Sequence, residues 1–428
     1  MMGLRIFGLI SAPMNHNKTS SRGEAESLYA CVRLGAALLL MTIGGAAMYG
    51  VVVALPAVQA EFGVARADAS LPYTLTMIGF GVGGILMGRL SDRFGVIVSV
   101  VIGALSLGAG FLLCGMSVTL WQFSLAHGLF AGLLGCAATF APLVADTSMW
   151  FTRRRGMAVA ICASGNYLAG AVWPPVLQHF FETAGWRATY VGLGAFCLAT
   201  MLPLALLLRK RPPLPGHATS GAAAIRSDRP LGLTPNALLA LLSVAGLACC
   251  VAMSMPQVHI VAYCGDLGYG AARGAEMLAI MLGFGIVSRL ASGWICDRIG
   301  GLRTLLLGSV LQGIALVLFL PFDGLAPLYI VSALFGLFQG GLVPSYAIIV
   351  REYFKPAEAG ARLGVVLLAT LLGMAAGGWV SGAIFDLTGS YRAAFVNGIA
   401  WNLLNMTIAC WLLLRAQRAN EMRPSWTA

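Results

Sequence analysis

One arginine stands where a charge is hardest to keep. Arg289 lies inside a long apolar stretch, eight residues before Asp297, a rise of about 12 Å if the stretch is helical. Its guanidinium stays charged at any physiological pH, and its planar fork fits a carboxylate bidentately. The chemistry this offers is reversible capture of an anion. Asn166, Tyr167 and Gln339 also fall near the middle of apolar stretches and Tyr49 nearer one end; each can make directional hydrogen bonds to a carboxylate or hydroxyl. His127 and His259 are further candidate solute contacts, and are the groups within such stretches that titrate near neutral pH. No Asp or Glu sits mid-stretch, so a coupled proton would have to travel on a histidine or on the solute's own carboxyl, and facilitated diffusion or exchange without a proton is equally open.

The elements that position these residues follow from composition. Of 428 residues, 59% are apolar and 10% charged, far from the roughly 25% charged of soluble domains. The charges cluster, leaving uncharged runs of about 20 residues, the length that crosses a ~30 Å hydrocarbon core. Twelve such spans are expected, all helical, because backbone polar groups in lipid must be satisfied within their own segment. Residues 1–33 read as an N-terminal tail, 34–208 as six spans, 209–235 as a linker, 236–414 as six more spans and 415–428 as a C-terminal tail. With the N-terminus inside, 22 of the 27 basic residues fall on the cytoplasmic side, which places both tails there. The short apolar patch Met1 to Ile10 lacks a signal-peptide cleavage pattern and is taken as part of the tail.

Several function classes fall away. The net charge of +11 comes from short clusters between spans, unlike a nucleic-acid-binding face. Cys114, Cys136, Cys162, Cys197, Cys249, Cys250, Cys296 and Cys410 lie in apolar spans without paired metal spacing and read as small core residues. No metal or cofactor is expected, and no segment is long enough for a catalytic domain.

The two halves repeat each other. GRLSDRFG runs from Gly88 through Asp92 and Arg93 to Gly95, and GWICDRIG from Gly293 through Asp297 and Arg298 to Gly300, 205 residues later. The same offset relates Arg187 to Arg392 and Gly135 to Gly340, the signature of structural repeats in transporters. With these motifs the chain resembles the major facilitator superfamily over nearly all of residues 34 to 415. The resemblance implies an all-α membrane protein of two pseudo-symmetric six-helix bundles around a central solute site, opened alternately to either face. Spans 1, 4, 7 and 10 would line the cavity. Asp92, Arg93, Asp297 and Arg298 are expected to gate the cytoplasmic side through charge pairs, with Gly88 and Gly95 allowing close contact and a tight turn. The glycines of spans 2 and 11 are expected to pack against the opposite half.

WFTRRRGMAVAICASG from Trp150 to Gly165, SRLASGWICDRIG from Ser288 to Gly300, and FDLTGSY from Phe385 to Tyr391 are similar to the monocarboxylate transporters and oxalate/formate antiporters. In those relatives an arginine of span 8 binds the substrate carboxylate, and Arg289 occupies the matching position. Their acid one turn before that arginine is Gly285 here, and their lysines of spans 1 and 11 are missing. One fixed positive charge suits a monocarboxylate better than a dianion. Expected partners are thus a small carboxylate, a coupling proton or counter-transported anion, and the lipid bilayer, for a monomer in the cytoplasmic membrane. The competing reading is an exporter of drug-like hydrophobic molecules, which the lack of a mid-span carboxylate disfavours.

Overall fold

A computed structural model describes residues 27–151, 154–210 and 230–421; most of the expected tail and linker lies outside them, as do Thr152 and Arg153 of the Trp150 to Gly165 motif. Among the described residues are twelve helices long and apolar enough to cross a membrane. They are α1 (Leu28–Phe62), α2 (Arg66–Phe94), α3 (Val96–Met116), α4 (Leu120–Trp150), α5 (Gly156–Ala184), α6 (Trp186–Leu206), α7 (Pro235–Asp266), α8 (Ala271–Ile299), α9 (Gly301–Leu318), α10 (Leu325–Tyr353), α11 (Glu358–Thr388) and α12 (Tyr391–Arg418). Helix α1 starts before the expected end of the tail. Even-numbered crossings return the chain, so α1 starts and α12 finishes at one end of the bundle, the terminal end below.

These helices are apolar on all sides because one side packs on neighbours and the other meets lipid. Leu105, Trp121, Val287, Ile330 and Leu403 remain exposed, as a bilayer-facing surface requires. Three of the four expected cavity-lining helices are broken. Helix α1 turns at Gly45 between Leu28–Gly44 and Ala46–Phe62. Helix α4 widens over His127–Cys136, where the Ala137 N–H reaches back five residues to the Gly132 carbonyl. Helix α10 breaks at Gly340 and Gly341. A Cβ at Gly44 would fall 2.1 Å from Thr139 Oγ1, and one at Gly340 would fall 2.4 Å from the Gly285 carbonyl; bare glycine lets the broken segments touch their neighbours.

The halves meet along two seams, α2 against α11 and α5 against α8. Gly81 faces Leu368 and Leu371, Gly378 faces Tyr73, and Gly382 faces the Ala67 backbone, so these glycines do contact the opposite half. The others correct the expectation: Gly79 and Gly83 pack on α4, Gly373 and Gly377 on α7, and a Cβ at Gly84 meets open space. Each helix turns one small face to the other half and another to its own.

Two polar networks tie the halves internally. Arg33 and Asp146, expected among the solvated charges at span ends, are instead buried in a bidentate pair of 2.8 Å contacts between α1 and α4. The guanidinium lies over the Trp150 ring. In the other half, Asn402 and Asn405 of α12 donate to the Ser309 carbonyl and hydroxyl, and Tyr346 of α10 donates to Asn405.

Gly336 tests the packing. A Cβ there would lie 1.8 Å from the Met281 carbonyl oxygen, so Gly336→Val must push α10 off α8. Overpacking of this kind costs about 1–3 kcal/mol; thermal unfolding in detergent should show a lower midpoint for this variant than for Gly84→Ala.

Candidate functional site

Arg289 lies on the α5–α8 seam. Its guanidinium sits over the Tyr167 ring, 4.3 Å from the centroid, and its Nη1 donates to the Ala163 carbonyl at 3.2 Å. No carboxylate pairs with it among the described residues, and its buried Nε has no hydrogen-bond partner. A cation in such surroundings normally finds an anion. The approach is set by glycine: a Cβ at Gly285 would lie 2.3 Å from Tyr167 Cε1, and one at Gly170 would lie 2.8 Å from Tyr49 Cζ. Tyr49, Tyr167 and Arg289 therefore form one group across α1, α5 and α8. Asn166 is half-buried beside Tyr167 and has no hydrogen-bond partner among the described residues.

The two histidines lie elsewhere, whereas Gln339 precedes Gly340, the glycine of α10 that touches the Gly285 carbonyl. Gln339 is fully buried in α10, where its Oε1 accepts from Gln257 Nε2 at 3.1 Å and its own Nε2 stays unpaired. His127 is enclosed by Phe111, Phe123 and Tyr190 of α3, α4 and α6, with Nδ1 against Thr76 Oγ1 at 2.8 Å. That places it in the interior of its own half, away from Arg289, which corrects its reading as a solute contact. His259 contacts Tyr391 and the Gly378 carbonyl, part of a separate network at the end opposite the termini.

That network is the feature sequence reasoning missed. Arg66, at the start of α2, spans to Asp266 of α7 with two 3.2 Å contacts and donates to the Tyr391 hydroxyl at 2.8 Å. Asp386 of α11 accepts from the backbone N–H groups of Arg66 and Ala67 at 2.8 and 2.7 Å. Residue Ala65 before α2 has no capping side chain, so a carboxylate of the other half caps this helix and opposes its dipole. Arg66 is 8% exposed and lies over the Phe385 ring, unlike a solvated surface pair. A signal existed: only Arg66, Arg187, Arg273 and Arg392 stand at this end, and each is ion-paired, to Asp266, Glu61, Glu276 and Asp323. Only the first pair crosses between halves.

At the terminal end the loop motifs are open. Asp92, Arg93, Asp297 and Arg298 are exposed and make no ion pair among the described residues; Arg93 lies over Phe94 and Arg298 over Trp294. Gly95 has φ +93°, a conformation that favours glycine, as a tight turn requires. A Cβ at Gly88 would meet nothing within 4 Å, so Gly88 makes no close helix contact here.

Twelve spanning helices in two repeated bundles, with a lone cation on one seam and a latch on the other, describe a membrane transporter. The chain belongs to the Major Facilitator Superfamily, whose family model matches residues 37–326 and 284–428. It is similar to Monocarboxylate transporter 13 of Bos taurus, 28% identical over 336 residues, covering 77% of this chain and 75% of that one. It is also similar to the MFS-type transporter YcxA of Bacillus subtilis, 27% identical over 375 residues, covering 84% and 89%. Its fold matches a bacterial homologue of the human lysosomal transporter Spinster, with TM-score 0.68 and 13% identity over 94% of this chain and 99% of that one.

The latch predicts how access at its end is controlled. Asp386→Ala removes the α2 cap and the tie between α2 and α11, so a cysteine placed at Ser70, which is fully buried beneath it, should react faster with a water-soluble maleimide. Unchanged labelling would show that the pair does not hold this end shut.

Proposed function

We propose that this protein carries a small monocarboxylate across the cytoplasmic membrane by alternating access, with Arg289 holding the carboxylate. The observation that carries this reading is the Arg289 guanidinium: within a membrane-spanning helix, lying over Tyr167, and without a carboxylate among the described residues. A solute anion supplies the missing charge. Tyr49 and Asn166 contribute hydrogen bonds at the same place, and Gln339 offers a further unpaired donor from α10. One fixed cation favours a monoanion, and similarity to monocarboxylate transporters supports that class.

In this reading Arg66, Asp266 and Asp386 hold the opposite end closed while the terminal end admits solute. Asp92, Arg93, Asp297 and Arg298 then pair when the terminal end closes in the other half of the cycle. The predominance of basic residues around the termini supports a cytoplasmic position for that end, and an N-terminal tag should then resist protease added outside intact cells. Both mid-span histidines already have structural hydrogen bonds. Any proton therefore moves with the solute's own carboxyl, or a second anion returns in its place.

The test is uptake of labelled acetate, lactate, pyruvate and benzoate into vesicles containing the purified protein. Arg289→Ala should lose at least about tenfold in uptake, as for a charge-assisted contact worth roughly 1.5–3 kcal/mol, and Arg289→Lys should keep only part of it. Near-normal uptake by Arg289→Ala sinks the anion seat. Strong competition by hydrophobic cations with none by carboxylates would favour the drug-exporter reading instead.

A further inference from the structure

Three features of the α5–α8 seam act on one side chain. The Tyr167 ring covers a face of the Arg289 guanidinium. The Ala163 carbonyl holds Nη1 from the same helix, one turn earlier. Gly285, one turn before Arg289, leaves the space that the ring occupies: a Cβ there would come within 2.3 Å of Cε1 and 2.5 Å of Cδ1. The buried Nε has no hydrogen-bond partner, and the one hydrogen bond of the guanidinium among the described residues is that of Nη1, which leaves Nη2 open beside it. These two nitrogens form one edge of the planar guanidinium, the arrangement that receives two carboxylate oxygens side by side.

We infer that Tyr167 is the positioning residue of the anion seat, and that Gly285 is bare so that the ring can lie against Arg289 and turn its Nε–Nη2 edge toward the solute. The inference rests on the reading of Arg289 as the anion-binding residue. Arginine carries much rotamer freedom. The ring and the Ala163 carbonyl remove that freedom before the solute arrives, and the aromatic face replaces part of the lost hydration without neutralising the charge. A carboxylate at position 285 would have done the opposite, pairing with the guanidinium and competing with the solute. The seat thus keeps its full charge for the solute and needs no proton to free it.

The position is specific to this seam. The repeat counterparts of Arg289 and Tyr167 are Gly84 and Leu372, so these two positions of the α2–α11 seam carry neither a cation nor a ring.

The experiment uses the full-length protein in vesicles, with whichever of acetate, lactate, pyruvate and benzoate the wild type takes up, and scores only variants that match wild type in size-exclusion profile. Tyr167→Phe keeps the ring and should hold KM within about twofold. Tyr167→Leu should raise KM roughly five- to thirty-fold, the range of a partly desolvated cation–aromatic contact, with little change in maximal rate. Tyr167→Met carries the same expectation should the leucine variant not fold. Gly285→Ala should raise KM similarly by displacing the ring, and Gly285→Ala with Tyr167→Leu should be no worse than the worse single variant, since both disturb one contact. Wild-type KM in Tyr167→Leu, alongside lost uptake in Arg289→Ala, would overturn the positioning role and leave the anion seat standing. Multiplying effects in the double variant would overturn the steric role of Gly285. Normal uptake in Arg289→Ala would overturn the seat itself, and with it this inference.

Discussion

A guanidinium withdrawn from water must be met by an anion, by water or by both, because an unpaired ion in a low-dielectric interior carries a penalty of several kcal/mol. Three arginines of this protein face that requirement. Arg33 meets it inside the first half with Asp146. Arg66 meets it across the halves with Asp266. Arg289 meets it only in part, with an aromatic face and one backbone carbonyl. The first arrangement makes a half cohere, the second makes the halves adhere at one end, and the third leaves a demand that a solute can satisfy. On the proposed reading, placement of three like side chains separates construction, gating and binding.

The duplication sharpens this. Arg66 and Asp386 have Ala271 and Phe181 as repeat counterparts, so the latch belongs to the α2–α11 seam alone. Glu61 and Asp266 are also counterparts, yet Glu61 pairs with Arg187 of its own half and Asp266 reaches across to Arg66. Divergence between the repeats has made one seam apolar at mid-depth and bolted at its end, and the other polar at mid-depth. The two seams of a symmetric scaffold thereby acquire distinct characters.

Much of the architecture was legible in the sequence, because apolar runs, their lengths and the repeated loop motif each follow from the demands of a bilayer on one segment at a time. Arg289 was legible for the same reason. What could not be read were relations between distant segments. Asp146 looked like one more charge at a span end, and only the fold brings Arg33 against it. The latch joins residues as much as 320 positions apart, and nothing local distinguishes Asp266 from Asp323 as its acid. His127 misled for a more specific reason. Its candidacy rests on a place in span 4, expected to line the cavity, and membership of a span does not say which way a side chain faces. The ring turns to Thr76 and the aromatic interior of its own half.

Asp386 caps a helix to which it does not belong, and that makes the local order of α2 a function of where the other half stands. While the halves touch at this end, the amides of Arg66 and Ala67 are bonded to a carboxylate. Once they part, the first turn of α2 is left with free N–H groups and begins to fray, as uncapped helix ends do. In the proposed alternating-access cycle, isotope exchange at these two backbone amides becomes a clock for the whole carrier, counting how often that door opens without any label on the solute.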